Sequence, residues 1–271
     1  MLAEIPSVSP RSLARAGPQP DQEDEVANPV ATCDIRLVAT FCLIHGNWHD
    51  GSCWAPLVER LRSRGHEAVA PDLPFDDATA SYDERARPAI DALAGLEPPV
   101  VVVGHSVGSA EAALVAAECD TALLVYLCPR FGSFGVPADA PAVFRDGFPF
   151  PPRDAEGRMV WEPDAAISAM YPRLSGEAAL RLATRLRPGA APVGDYPLLE
   201  HPHVATALVY AREDEFFTPE WEVFVAREVL RVEPIEIRGG HFPMIEDPYA
   251  LADLLDRLAR SGEAAKWSGT A

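Results

Sequence analysis

The chain has 271 residues, 48% of them hydrophobic, enough for one large core with an insertion. Its 41 acidic against 23 basic residues give a net charge of −18, which argues against nucleic acid, anionic membrane surfaces and strongly acidic substrates as partners. No apolar run approaches about 18 residues, so no membrane span is expected.

Taken in order, residues 1–34 carry Pro, Ser and an acidic cluster (Asp21, Glu23, Asp24, Glu25) and read as a disordered extension. The start, Met-Leu-Ala-Glu-Ile-Pro, lacks a basic-then-apolar leader segment. From Arg36 to Leu127, strand-like and helix-like runs alternate, the signature of a doubly wound, mostly parallel α/β sheet. Ser81 and Glu84 form a capping box for one crossover helix, which Pro88 should kink or shorten. Residues 129–203 break the alternation with prolines and aromatics and read as an inserted cap, helical around Ser175–Leu186. The alternation resumes at Ala205, so 35–128 and 204–262 are expected to form one core. Asp247 and Pro248 supply N-cap and N1 of the last helix.

Five cysteines (Cys33, Cys42, Cys53, Cys119, Cys128) are scattered without paired metal spacing. Cys42, Cys119 and Cys128 read as small core residues, and a reducing cytoplasm is the default location. The one lysine, Lys266, lies in the C-terminal tail.

Gly104-His105-Ser106-Val107-Gly108 stands between the β-type run Val100–Val103 and the Ala-rich helical run Ala110–Glu118. A serine on so sharp a strand-to-helix turn needs small neighbours, because its backbone is strained and its Oγ must stand clear. His241 lies on a Gly-rich loop after the short run Pro234–Ile237, and Asp214 follows the run Ala205–Ala211. The three occur in the order Ser, Asp, His, which suits a nucleophile, an orienting acid and a general base on one parallel sheet. Other carboxylates lie nearby: Glu213, Glu215, Glu246 and Asp247. Asp214 is preferred because it sits three residues beyond Ala211, where the chain can turn back. Glu213 and Glu215 should then point to solvent, and Asp247 should cap its helix.

On these motifs the chain resembles the α/β-hydrolase family over about residues 36–260. Leu43–His49 is similar to its strand and H-G-x-W loop, Val69–Pro74 to its "APDLPG" segment, Gly104–Gly108 to its nucleophile elbow and Gly240–Pro243 to its histidine loop. Within the family it looks like the small bacterial esterases akin to plant methylesterases and hydroxynitrile lyases, and Leu186–Pro192 resembles part of their cap. Ser109 departs from the family's usual glycine and should crowd the helix start slightly. The resemblance implies a serine esterase, and the strand-x-x-D pattern supports Asp214. It also assigns the backbone N–H of Asn47 to the oxyanion hole beside that of Val107, the first N–H after the nucleophile. His45 is expected to anchor its loop.

The expected activity is cleavage of small, mainly apolar carboxylic esters by a Ser106–His241–Asp214 triad through an acyl-enzyme, without metal or organic cofactor. The pocket is expected to involve Trp48, His105, Phe131, Trp161, Tyr171 and Phe242, while Arg130 is a candidate partner for a substrate carboxylate. Two readings compete: a tailoring enzyme using the same triad for lactone formation, acyl transfer or lyase chemistry, and a binding protein without turnover. The lysine that the resemblance expects in a lyase cap has no counterpart here. Homodimerisation is left open.

Overall fold

A computed structural model describes residues 38–130, 136–137 and 139–261. The expected N-terminal extension, Cys33, Phe131 and Lys266 lie outside them. The described residues contain six strands: β1 (Thr40–Ile44), β2 (Glu67–Val69), β3 (Val100–His105), β4 (Thr121–Leu127), β5 (Thr206–Ala211) and β6 (Ile235–Ile237). They form one sheet in the order β2-β1-β3-β4-β5-β6, and every pairing is parallel. β1, β3 and β5 are buried along their whole length, as near-continuous Val/Leu/Ile runs must be when both faces of a sheet are covered.

The helices are α1 (Ala55–Ser63), α2 (Tyr82–Leu93), α3 (Ser109–Glu118), α4 (Pro163–Met170), α5 (Gly176–Ala183), α6 (Pro219–Phe224), α7 (Pro243–Glu246) and α8 (Pro248–Ser261). The β1–α1–β2 crossover moves one way along the sheet, and β2–α2–β3 moves back over β1. Right-handed connections therefore put α1 and α2 on opposite faces. Accordingly α1 packs against α8 and α2 against α3. On α8 the buried Leu251, Leu254, Leu255 and Leu258 follow the i, i+3, i+4, i+7 stripe that such packing requires. No described helix is long and apolar enough to cross a membrane.

Most local expectations match these elements. The capping box of Ser81 and Glu84 is formed, and Asp247 Oδ1 accepts the Ala250 N–H at 2.9 Å. Two do not. α2 runs through Pro88 to Leu93 without being cut short, since a proline removes only one interior bond and α3 supports the helix laterally. Cys119, at the end of α3, is only partly buried.

Strand order reverses between β1 and β3, and at such a switch point the loops leaving the two parallel strands diverge and open a crevice at the sheet's C-terminal edge. The loops flanking it here are His45–His49 after β1 and the turn at Ser106 after β3. Glycine keeps them together. A Cβ on Gly108 would stand 2.3 Å from the His45 carbonyl oxygen, and one on Gly104 2.4 Å from Ala112 Cβ. Gly108→Ala is therefore expected to destabilise by ~1–3 kcal/mol, as overpacking does, lowering the melting temperature by ~3–10 °C in a thermal unfolding scan. An unchanged midpoint would mean that the two loops are not in register as described.

Candidate active site

Ser106 follows β3 directly and opens a single 3₁₀ turn, Ser106–Gly108, that leads into α3. Its φ is +54°, in the left-handed region where a side chain is strained. Surroundings hold it there. Its carbonyl accepts the Arg130 N–H at 3.1 Å, and a Cβ on Gly46 would stand 2.9 Å from Ser106 Cβ, so only glycine lets the β1 loop pass this close. Ser109, expected to crowd the helix start, turns its Oγ to the Gly104 carbonyl at 3.4 Å.

Asp214 and His241 leave the ends of β5 and β6 and meet. The ring Nδ1 lies 2.7 Å from Asp214 Oδ2, and both residues are buried. The other carboxylate oxygen, Oδ1, accepts the N–H groups of Phe216 and Phe217 at 2.6 and 2.9 Å. With the carboxylate as acceptor, Nδ1 carries the proton and Nε2 keeps its lone pair. The Cys128 thiol also hydrogen-bonds Asp214, and burial pushes this thiol well above its usual pKa. A thiol sulfur, a carboxylate oxygen and a ring nitrogen of Cys128, Asp214 and His241 all lie within 4.8 Å of one another. Direct hydrogen bonds to Asp214 account for that closeness.

The histidine loop is held more heavily than the sequence suggests. Gly239, Gly240 and His241 present three successive N–H groups, taken by Glu213 (2.7 Å), Glu246 (2.8 Å) and Glu215 (3.0 Å) respectively. The expectation that Glu215 faces solvent is thus corrected, since it is partly buried, whereas Glu213 is exposed as expected and still accepts the Gly239 N–H. An irregular Gly-Gly segment has no strand partner for its donors, and nearby carboxylates supply the acceptors. Arg173 ties this cluster together through Glu215 and the Glu213 carbonyl.

The β1 loop carries its own supports. Leu73 N–H donates to His45 Nε2 at 3.0 Å while His45 Nδ1 meets the Gly46 carbonyl at 2.9 Å. The imidazole is therefore the Nδ1–H tautomer, an anchor as expected, and burial lowers its pKa. Asn47 and Trp48 follow, with Trp48 at φ +68°.

A cavity of about 410 Å³ opens beside Ser106, with Asn47, Trp48, Val107, Phe216 and Phe217 among its walls and Phe144, Phe150, Met159 and Ala190–Pro192 facing them. Among the described residues, Trp48 is the one expected pocket aromatic that lines it. Trp161 stands behind, edge-on to Trp48 at 5.7 Å. Tyr171 gives its hydroxyl to His49 Nε2 at 2.7 Å, and burial lowers the pKa of His49 to about 4. Phe242 is packed between His49, Tyr171 and the His241 ring. His105 points under the site, its Nε2 2.8 Å from the His241 carbonyl, and ties the nucleophile strand to the histidine loop. These four are supports, not walls: Tyr171 and His105 find polar partners inside the protein, while Trp161 and Phe242 pack against neighbouring rings. Phe131 lies outside the described residues.

Phe216, stacked on His241 with ring centres 4.2 Å apart, and Phe217 were missed by sequence reasoning. Their signal was adjacency to Asp214, since a residue two or three places after an aspartate offers it an N–H. Arg85 and Glu111, buried members of the cavity wall, were also missed. The only trace of Glu111 was its place inside the Ala-rich run Ala110–Glu118.

Burial pushes the Glu111 pKa up to about 8, with Arg85 acting the other way. A folded pKa above the unfolded one means that the native state holds a proton the unfolded state has released. Stability is therefore lost as pH rises from about 4.5 to 8. Replacing Glu111 by Gln should flatten that part of the profile, by ~1–4 kcal/mol between pH 5 and 8 in urea unfolding. Parallel profiles for the two proteins would refute the assignment.

The model of the Alpha/beta hydrolase family matches residues 43–254, and the chain belongs to that family. Probable esterase PIR7A of Oryza sativa subsp. japonica is 28% identical over 257 residues, covering 81% of this chain and 96% of the relative. Methylesterase 18 of Arabidopsis thaliana is 35% identical over 99 residues, 32% of this chain and 37% of the relative. Among solved structures, the methylesterase MES16 from Arabidopsis superposes with TM-score 0.66 at 19% identity, covering 83% of this chain and 100% of that one. A pyrethroid hydrolase from Sphingobium faniae JZ-2 gives 0.65 at 22%, covering 83% and 98%. The expected α/β-hydrolase fold is borne out, and the expected likeness to esterases and methylesterases agrees with the names of these relatives.

Proposed function

We propose that this chain hydrolyses carboxylic esters of small molecules through Ser106, His241 and Asp214. The observation that carries the reading is the buried 2.7 Å contact between His241 Nδ1 and Asp214 Oδ2, which leaves the outer ring nitrogen free to accept a proton. It supports an imidazole that takes the Ser106 proton as Oγ attacks the ester carbonyl, then returns it to the leaving alcohol. Asp214 stabilises the imidazolium, and the N–H groups of Val107 and Asn47 are the oxyanion donors, each worth ~3 kcal/mol in the transition state. Water then releases the acid from the acyl-enzyme by the same relay.

Residues 129–203 act as the cap. In support, Met159 and Gly189 pair with each other, the Arg187 N–H donates to the Trp48 carbonyl at 2.8 Å, and the Ala190 N–H to that of Phe75 at 2.7 Å. Among the described residues the cysteines are free and mostly buried, which suits a reducing cytoplasm.

A p-nitrophenyl ester series from acetate to octanoate tests the reading, with a fluorescent organophosphonate as the covalent probe. Turnover at some chain length and labelling confined to Ser106 are expected. No turnover and no labelling would sink it in favour of a binding protein.

A further inference from the structure

One end of the cavity beside Ser106 is polar. Tyr82 and Arg85 sit three residues apart on α2 and so share a face. Glu111 projects from the first turn of α3, and Arg130 stands just beyond β4. All four line the cavity, and the Tyr82 hydroxyl feels the charges of the other three. Arg85 and Glu111 are each only 1% exposed. Arg85 is fixed in place: its Nη2 donates to the carbonyls of Asp77 and Ala190, and the guanidinium lies over the Phe75 ring. Yet Arg85 Nε and Glu111 Oε2 are buried without a hydrogen-bond partner among the described residues.

Two opposed orphan groups at one end of a cavity are costly, ~1–3 kcal/mol each, unless something enters to satisfy them. The charges nearby say what that something is. Arg85, Arg130 and Arg153 line this cavity against a single carboxyl, Glu111, in a chain that carries 41 acidic residues. Burial keeps Glu111 largely protonated at neutral pH, so it can donate a hydrogen bond.

We propose that the substrate carries a carboxylate remote from its ester, bound by Arg85 with the Glu111 carboxylic acid and the Tyr82 hydroxyl, and with Arg130 at the rim. The proposal rests on the ester-hydrolase reading and names the substrate class. Ser106 and Glu111 are five residues apart along one turn and α3, a span of about 8 Å at ~1.5–2 Å per residue. A half-ester of a short dicarboxylic acid, of about four to eight carbons, fits that span. The net charge of −18 does not oppose this. It is a property of the whole chain, screened over about 8 Å at physiological salt, whereas the arginines act inside the cavity.

The test measures binding and so does not depend on turnover. Titration calorimetry on the Ser106→Ala protein would compare monomethyl esters of succinic to suberic acid with methyl esters of matched monocarboxylic acids. The half-ester anion is expected to bind at least tenfold more tightly at one chain length. Adding Arg85→Met should reduce that preference tenfold or more. Because Arg85 also holds two carbonyls, the exposed Arg130→Gln provides a second variant, expected to reduce it about threefold. Equal or weaker binding of every half-ester, or a preference that survives both replacements, overturns the proposal. A wild type that binds the half-ester tightly but cleaves no ester would instead overturn the hydrolase reading and leave the carboxylate site standing.

Discussion

Ser106→Ala is expected to fold like the wild type and to lose roughly 10⁴- to 10⁶-fold of ester turnover. Two physical arguments support so large a loss. No other nucleophile stands in its place. His105 on one side is buried and engaged with the His241 carbonyl, and the Cys128 thiol is buried, hydrogen-bonded to Asp214 and held far from ionisation. Second, replacing the residue does not disturb its supports, because the bonds around the turn are made by backbone atoms and by Gly46 and Gly108, which admit the chain there. Alanine at φ +54° remains strained to a similar degree, so the melting temperature should move by only a few degrees. Rates with a p-nitrophenyl ester, together with loss of organophosphonate labelling, check the first claim, and thermal unfolding checks the second. Residual turnover above about a hundredth of wild type would remove Ser106 from the mechanism.

Asp214→Asn should cost ~10³- to 10⁴-fold in turnover with little change in fold. The Asn oxygen can still accept the Phe216 and Phe217 N–H groups, so the loop keeps its shape. Its amide then faces His241 Nδ1 as a donor, which selects the imidazole tautomer protonated on the outer nitrogen. Such a ring cannot take a proton from serine. Glu213→Gln is the matched control: it also holds a loop N–H, that of Gly239 at 2.7 Å, and glutamine keeps an acceptor oxygen. It should stay within about tenfold of wild type. If Glu213→Gln cripples the enzyme while Asp214→Asn is mild, the acid has been assigned one residue too late.

The sheet and the three residues of the proposed relay were legible because each carries a local signal. Buried strands announce themselves as apolar runs, and the turn at Ser106 needs glycines at fixed offsets. The cavity was not legible in the same way. Trp161 and Tyr171 lie in the inserted region and Phe242 beside His241, yet aromatic character alone does not distinguish a wall from the packing behind it. What decides is which distant neighbour each side chain meets, as when the Tyr171 hydroxyl reaches His49 across 122 residues or Trp161 packs edge-on to Trp48. Arg85 and Glu111 escaped for the converse reason. Each sits on a helix that reads as an ordinary crossover, and only the packing of α2 against α3 turns both towards one space.

The proposed base, His241, follows the weakest part of the sheet. β3, which delivers Ser106, is flanked by strands on both sides and buried throughout, whereas β6 has three residues and, among the described residues, pairs only with β5. Edge elements with so few backbone bonds open at lower free energy than the core. The clamp of Glu213, Glu215 and Glu246 on the histidine loop compensates at the one place where fraying would matter. Durability on heating would then be governed not by the large central core but by this small carboxylate collar, whose release silences the protein while most of its backbone amides remain protected from exchange.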